Sequence, residues 1–280
     1  MAHPEHTVHL QKETNLKLDI RSMVIFLLTG VVAWAINLAP QMLGGPLMHF
    51  WPRTTFILIA DALVLYVTYT SFKRTDIPTA ALGLNIKKRL FTDALIGVAI
   101  AIATITTMAV VLYLFVPYHF VYRSLGVGYV IKESYSYFLG AILEELLFRG
   151  FLFLIFTKRF GWRAGLLIMA LPFGLYHLAG GMSLVASTTI FSFIFGLSLV
   201  LTGSLWTAIF LHATLNVLLH TITGLDGAGN AVYTLAFDGQ MPNYPFGVLV
   251  SIITALTMAT LLYLIINWRQ SVKIVTPDRH

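Results

Sequence analysis

The chain of 280 residues contains no cysteine and very little charge. The absence of cysteine excludes disulfides, thiol catalysis and cysteine-based metal sites. Only 11% of the residues are charged, 58% are hydrophobic, and the mean hydropathy is +0.81. Soluble domains carry about 25% charged residues, so this composition argues against that class. It predicts a polytopic helical membrane protein instead.

The N-terminal sequence also lacks the pattern of a cleavable signal peptide. The first twenty residues, MAHPEHTVHLQKETNLKLDI, are polar and mixed in charge. A signal peptide would show a basic segment followed by an apolar one. We therefore expect the first apolar run to be a true membrane helix.

Eight apolar runs are long enough to cross a hydrocarbon core of about 30 Å as helices. They lie near 23–43, 55–72, 91–116, 135–157, 164–180, 183–203, 205–223 and 246–268. The sequence thus predicts an all-α fold of about eight transmembrane helices with a catalytic cavity inside the bundle. Crowding between 164 and 223 leaves a count of seven open. The predicted divisions are a cytoplasmic tail at 1–22, a transmembrane domain at 23–268 and a second cytoplasmic tail at 269–280.

Two connections carry recognisable patterns. KRTDIPTAALGLNIKKRL, between the second and third predicted spans, reads as a polar loop with a short surface helix. DGAGNAVYTLAFDGQMPNYP, before the last span, is rich in turn residues and reads as a loop.

The basic residues orient the predicted spans. If the N-terminus is cytoplasmic, the inside segments hold 14 of them: Lys12, Lys17, Arg21, Lys73, Arg74, Lys87, Lys88, Arg89, Lys158, Arg159, Arg163, Arg269, Lys273 and Arg279. The outside segments hold only Arg53, Arg123 and Lys132. Cytoplasmic loops are enriched in Lys and Arg, so both termini are expected inside. The net charge of +6 is explained in this way, and no nucleic acid partner is expected.

Three charges interrupt the fourth predicted span, in the run Leu143-Glu144-Glu145-Leu146-Leu147-Phe148-Arg149-Gly150. Charges near the bilayer centre cost about 2.5–3.5 kcal/mol on insertion scales and are functional candidates by default. Glu145 and Arg149 are i,i+4 neighbours, which can pair on one helix face. Glu144 points about 100° away from Glu145. Arg149 is therefore predicted to hold Glu145, which leaves Glu144 for chemistry. The plainer alternative is that both glutamates only join helices.

His177 is predicted to lie at the depth of Glu144. A basic turn, Lys158 to Arg163, connects the fourth and fifth spans, and each side chain lies 14 residues from it. On antiparallel helices both lie about 21 Å from the turn. A carboxylate and an imidazole at one depth can share a water molecule. A lone membrane histidine would otherwise be interpreted as a helix-packing hydrogen bond.

His212 and Asn216 share a helix face in the seventh span, because they too are i,i+4 neighbours. Counted from Ser204, His212 lies only about 12 Å deep, which is short of Glu144. The turn Leu201-Thr202-Gly203-Ser204 carries no charge. It could be buried in the protein, and that burial would bring His212 to the level of Glu144.

Two further polar patterns favour packing over catalysis. Asp61, in the second span, has no partner that the sequence identifies. Thr188, Ser192 and Gly196 recur every four residues in the sixth span. Small residues at this spacing usually allow close helix approach.

Three motifs together resemble the type II CAAX endopeptidase family, also called CPBP or Abi. The family pattern is EExxxR, then FxxxH, then HxxxN or HxxxD, on separate membrane helices. The corresponding residues are Glu144, Glu145 and Arg149; Phe173 and His177; and His212 and Asn216. Each motif alone is weak, but all three in order within apolar helices form a fairly specific signal. The resemblance covers residues 135–223.

The resemblance implies intramembrane peptide hydrolysis by a glutamate-activated water. Glu144 would be the general base, and His177 would bind or polarise the water. His212 and Asn216 would form the oxyanion site, and Glu145 with Arg149 would orient the base. The substrate would be a membrane-associated peptide or protein, cut near its C-terminus in the family's eukaryotic branch. The cavity would open to the cytoplasm and the lipid.

Other interpretations remain open from the sequence. No cofactor is expected, but a glutamate and two histidines could bind zinc. A non-enzymatic bacteriocin self-immunity protein or membrane scaffold would bind a peptide without cleaving it. A transporter would show paired repeats, and none is evident. The compact size and short loops favour the plasma membrane of a prokaryote.

Overall fold

The computed structural model describes residues 20–84, 89–227, 230–239 and 244–275. Residues 1–19 of the predicted tail at 1–22 and residues 276–280 of the predicted tail at 269–280 lie outside these residues, and the last helix extends through residues 269–275. The α-helices are α1 Ile20–Leu43, α2 Phe50–Phe72, α3 Leu90–Phe115, α4 Val127–Glu145, α5 Phe151–Phe160, α6 Trp162–Tyr176, α7 Met182–Thr202, α8 Leu205–Asn216 and α9 Tyr244–Val275. Two π-helical turns, Leu146–Gly150 and Val217–Thr223, continue α4 into α5 and extend α8.

The predicted all-α membrane fold is confirmed. Among the described residues, six helices are long and apolar enough to span a membrane: α1, α2, α3, α7, α8 with its π turn, and α9. The run from α4 to α5 contains the charges discussed above, and α6 has only 15 residues. Glycine fits the sharp turn between α5 and α6, because Gly161 has a φ of 91°.

A small two-stranded β-ribbon forms in connections for which the sequence predicted no strand. Strands β1 (Tyr118–Tyr122) and β2 (Tyr233–Phe237) pair antiparallel, with Tyr118 opposite Phe237. One strand follows α3, and the other lies in the turn-rich segment before α9. Their pairing places the α3–α4 and α8–α9 connections at the same end of the bundle, called here the ribbon face.

The connection between α2 and α3 differs from the predicted surface helix. In its described part, up to residue 84, it forms a 3-10 turn, Thr79–Leu82, in which Ala81 and Leu82 are buried. Gly83 follows in the left-handed region, with a φ of 65°. The segment packs against the α7–α8 turn, where the Ser204 hydroxyl donates to the Gly83 carbonyl at 3.1 Å. This end of the bundle also carries the basic turns, and we call it the basic face.

The core lies where α4 to α8 meet. Phe151, Phe153, Leu143 and Ile194 are almost fully buried there. The outward faces of the long helices expose large apolar side chains, which lipid can solvate: Leu28, Val31, Leu58, Leu114 and Leu256 are among them. The charged residues of the fourth predicted span therefore lie in the best-packed part of the molecule.

Candidate active site

Glu144 and Glu145 are the last two residues of α4, immediately before a π turn. Single π turns inside α-helices change the direction in which neighbouring side chains point, and they are frequent at functional sites. Asn216 likewise ends α8 immediately before the second π turn. Two of the three sequence motifs therefore coincide with a local widening of the helix.

Glu145 and Arg149 form the predicted ion pair, with Arg149 Nη1 donating to Glu145 Oε1 at 3.2 Å. Their side chains are 0% and 2% exposed, so the pair is shielded from solvent. Arg149 Nη2 also donates to the carbonyl and the hydroxyl of Ser192, at 3.0 and 2.7 Å. These bonds supply the additional hydrogen bonding that a buried ion pair needs.

Aromatic rings complete the surroundings of the guanidinium. The Arg149 Cζ atom lies 4.2 Å from the ring centroid of Phe173 and 5.2 Å from that of Phe195. A cation over an aromatic face is stabilised by the ring quadrupole, and more strongly when desolvated. Phe173, the first residue of the FxxxH motif, thus contributes to holding the charge of the EExxxR motif.

His212 joins the two glutamates. Its Nδ1 lies 2.8 Å from Glu145 Oε1, and its Nε2 lies 3.7 Å from Glu144 Oε2. The Phe195 ring stacks on the imidazole, with centroids 4.4 Å apart and an interplanar angle of 14°. The structure therefore brings His212 to the depth of the glutamates.

Burial of the α7–α8 turn explains this depth. Ser204 is 3% exposed, because the segment around Gly83 covers the turn. A Cβ atom at Gly83 would lie 2.2 Å from the Gly203 carbonyl oxygen, so glycine permits the close approach. Helix α8 consequently starts inside the bundle rather than at its surface.

His177 lies at the same level, with its Nε2 3.5 Å from Glu144 Oε2. It follows the last residue of α6, whereas the predicted span ran on to residue 180. Its neighbour Tyr176 is held by α1, because Trp34 Nε1 donates to the Tyr176 carbonyl at 2.9 Å and Asn37 Nδ2 donates to its hydroxyl at 3.3 Å. The first helix, which carries no motif, thus fixes the position of the histidine.

The hydrogen bonds of both histidines define their tautomers. His177 Nδ1 lies 2.9 Å from the Phe173 carbonyl oxygen, which can only accept, so this nitrogen carries the proton. His212 Nδ1 faces the Arg149-paired carboxylate of Glu145 and is a donor for the same reason. In their neutral forms both rings then present an unprotonated Nε2 near Glu144. A neutral His212 with its proton at Nδ1 accepts hydrogen bonds at Nε2 and does not donate there.

A cavity of about 680 Å³ adjoins this cluster. Its wall includes His177, His212 and Asn216. The side chains of Glu144 and His177 are 14% and 21% exposed, whereas those of Glu145 and His212 are at most 5% exposed. Glu144 Oε2 is buried without a hydrogen-bond donor among the described residues. The arrangement places two imidazole rings in the wall of a space that could hold a small ligand or a short peptide, with the Glu144 carboxylate in contact with both rings.

Some polar residues stay outside the cluster, and others were not anticipated. Asp61 is 5% exposed, and no described side chain or backbone group donates to its carboxylate oxygens. Ser192, predicted to serve packing, binds Arg149. The four-residue spacing of Thr188, Ser192 and Gly196 did not indicate this hydrogen bond. Gly196 does serve packing, since a Cβ atom there would lie 2.2 Å from the Leu166 side chain.

The fold and this cluster define a helical membrane protein with a buried glutamate–histidine site, a class that includes intramembrane peptidases. Residues 126–218 match the model of a protein family described as type II CAAX prenyl endopeptidase Rce1-like. The match spans all three motifs and confirms the resemblance of this part of the chain to the CAAX endopeptidase family, a family of membrane proteases. No curated protein and no solved structure gives a significant match.

The buried ion pair yields a stability prediction. Removing one partner of a buried pair costs about 3–5 kcal/mol, because the other charge stays buried alone. Arg149→Met should lower the free energy of unfolding by about that amount. The double variant Glu145→Gln/Arg149→Met should lose less, because no uncompensated carboxylate remains. Denaturant unfolding of the purified protein in detergent measures both. Equal losses in the two variants would contradict the assigned pairing.

Proposed function

We propose that the chain is an intramembrane endopeptidase that hydrolyses a peptide bond with a water activated by Glu144. The observation that carries this proposal is the convergence of His177 Nε2 and His212 Nε2 on Glu144 Oε2, at 3.5 and 3.7 Å, beside the cavity. A general base must lie within hydrogen-bond reach of the proton that it removes, directly or through one water. A water beside the partly exposed Glu144 carboxylate meets that condition.

The chemistry follows from the hydrogen-bonding roles. The Glu144 carboxylate, whose side chain is 14% exposed, takes a proton from the water, and the water oxygen forms a bond to the carbonyl carbon of the substrate. His177 Nε2, with its proton held at Nδ1, accepts the second hydrogen of the water and orients its attack. When the C–N bond breaks, Glu144 returns its proton to the leaving nitrogen. The carboxylate is thereby restored for the next cycle.

The developing oxyanion needs donors placed in advance. The amide of Asn216 supplies one without a permanent charge. His212 supplies a second only when its Nε2 also carries a proton, because its Nδ1 hydrogen is directed to Glu145. The carboxylates of Glu144 and Glu145 flank this ring and would stabilise the resulting imidazolium.

Glu145 and Arg149 act as positioning residues in this mechanism. Glu145 Oε1 receives hydrogen bonds from both Arg149 and His212, so it fixes the imidazole that lies against Glu144. The nearly complete burial of Glu145 keeps it away from the cavity water. Adjacent glutamates therefore have separate functions.

The proposed setting is the plasma membrane of a prokaryote, with both termini in the cytoplasm. The excess of basic residues on the basic face supports this orientation. The proposed substrate is a membrane-associated peptide or protein, cut near its C-terminus.

A zinc hydrolase is the second candidate. Metal-binding histidines usually donate their other ring N–H to a carboxylate or carbonyl group, as His177 and His212 do here. Within the described part of the chain, however, no group of three His, Asp or Glu side chains is arranged to hold a metal ion. We therefore propose hydrolysis without a metal or cofactor.

Replacement of the base tests the proposed function. Glu144→Gln should reduce cleavage by about 10²–10⁴-fold, because the amide cannot accept the proton of the water. Glu133→Gln is the matched control: it lies on the same helix, but its carboxylate pairs with Arg53, away from the cluster. Comparative C-terminal peptidomics of membranes that carry wild-type or variant protein measures cleavage even when the substrate has not been identified.

Two outcomes of that comparison would contradict the proposal. If the cleavage products persist in membranes that carry Glu144→Gln, Glu144 is not the general base. Peptidomes that do not differ between membranes with and without the wild-type protein would favour a non-enzymatic immunity or scaffold protein. Such a protein should tolerate Glu144→Gln but lose binding when a cavity residue such as Leu215 is replaced by a bulkier one.

The metal question has its own test. Dialysis of the purified enzyme against a strong chelator should leave the rate of peptide cleavage unchanged, because no step of the proposed mechanism uses a metal. Elemental analysis should find no stoichiometric zinc. Activity that disappears on dialysis and returns with added zinc would support the zinc hydrolase instead.

A further inference from the structure

The cavity lies toward one face of the bundle. Helix α7 runs from the ribbon face to the basic face, and its lining residues, Leu184 to Phe195, come from its first two-thirds. On α9 the lining residues are Gly247, Val248 and Ser251, all near the start of that helix. Among the described residues, none that lines the cavity lies in the helical turns nearest to the basic face.

The mouth of the cavity lies beneath the β-ribbon. The strand residues Thr234, Leu235 and Phe237 line it, together with the exposed residues Arg123 and Asp226. All five belong to the connections that the ribbon joins at one end of the bundle. The catalytic cluster is thus connected to the ribbon face.

The basic face is closed by tight packing. The Ser204–Gly83 hydrogen bond seals the α7–α8 turn under the loop that follows α2. Helices α3 and α8 are in backbone contact, since a Cβ atom at Gly97 would lie 2.6 Å from the Thr207 carbonyl oxygen. The buried Glu145–Arg149 pair lies on this side of the cavity and fills the remaining centre of the bundle. Substrate and water therefore cannot enter along this route without disrupting the packing.

We infer that this protein takes its substrate from the non-cytoplasmic side of the membrane. The basic face carries Lys73, Arg74, Lys158, Arg159 and Arg163, and the positive-inside rule places that face in the cytoplasm. The ribbon face, with the mouth, then lies on the opposite side. This inference rests on the proposed function for its substrate, and it reverses the cytoplasmic opening that the family resemblance implies.

The wall chemistry defines the class of substrate. The interior is lined by apolar side chains such as Phe191, Leu215 and Leu219, and the mouth by Arg123 and by the His220–Asp226 pair, whose Nδ1 and Oδ2 atoms are 2.5 Å apart. A cavity of this size holds a short peptide segment rather than a folded domain. The fitting occupant is an extended segment of a secreted or membrane-anchored chain, with apolar residues around the scissile bond and polar residues that emerge outside the cytoplasm.

Single cysteines test this access route cleanly, because the chain has none of its own. Ser187 and Ser198 form a matched pair on α7, each donating its hydroxyl to a carbonyl three residues earlier. Only Ser187 lines the cavity. Tyr122→Cys on the ribbon face and Phe160→Cys on the basic face report orientation, since both residues are at least half exposed.

The probe is a small, cationic, membrane-impermeant methanethiosulfonate, applied to sealed right-side-out and inside-out membrane vesicles. Ser187→Cys and Tyr122→Cys should react in right-side-out vesicles, Phe160→Cys only in inside-out vesicles, and Ser198→Cys in neither. Reaction of Ser187→Cys only in inside-out vesicles, or in neither preparation, would overturn the inference. The inference would also be overturned if Tyr122→Cys reacted only in inside-out vesicles and Phe160→Cys only in right-side-out vesicles. Labelling needs no catalysis, so the result is independent of the Glu144→Gln comparison.

Discussion

The ion pair between Glu145 and Arg149 places two full charges in the middle of a helix bundle that is otherwise apolar. Each charge loses its hydration, at an effective cost of several kcal/mol per ion. The surrounding side chains offset that cost: Ser192 accepts from the guanidinium, Phe173 covers its face, and His212 donates to the carboxylate. These groups come from α6, α7 and α8, so one electrostatic requirement fixes the relative positions of four helices.

The geometry of the proposed active site depends on this arrangement. Because Glu145 is held on the buried side of α4, its neighbour Glu144 is directed to another side of the same helix, toward His177 and His212. A pair of adjacent acids thereby provides a fixed structural charge and a carboxylate that contacts two histidines of the cavity wall.

Local spacing made part of this site predictable. The i,i+4 relation of Glu145 and Arg149 needs only helix geometry, and the common depth of Glu144 and His177 follows from counting residues to a shared basic turn. The depth of His212 could not be decided in this way, because it depends on the burial of Ser204 under Gly83, a contact between segments far apart in the chain.

The same distinction applies to the fold. Long apolar runs identified the membrane helices, since length and hydropathy are local properties. The β-ribbon was missed because Tyr118 and Phe237 pair across more than a hundred residues, and a single two-stranded ribbon has only a weak local signal. The motifs carry no information on which face of the cavity is closed. The packing at Gly83 and Gly97 supports the direction of opening that we infer.

The central claim is that a water, and not Glu144 itself, attacks the peptide carbonyl. Single-turnover cleavage in water enriched in oxygen-18 tests it most directly, with mass spectrometry of both the product and the enzyme. The account predicts one labelled oxygen in the new C-terminal carboxylate of the product and none in the Glu144 side chain. Label in Glu144, or capture of an acyl intermediate by added hydroxylamine, would show covalent catalysis and contradict the account.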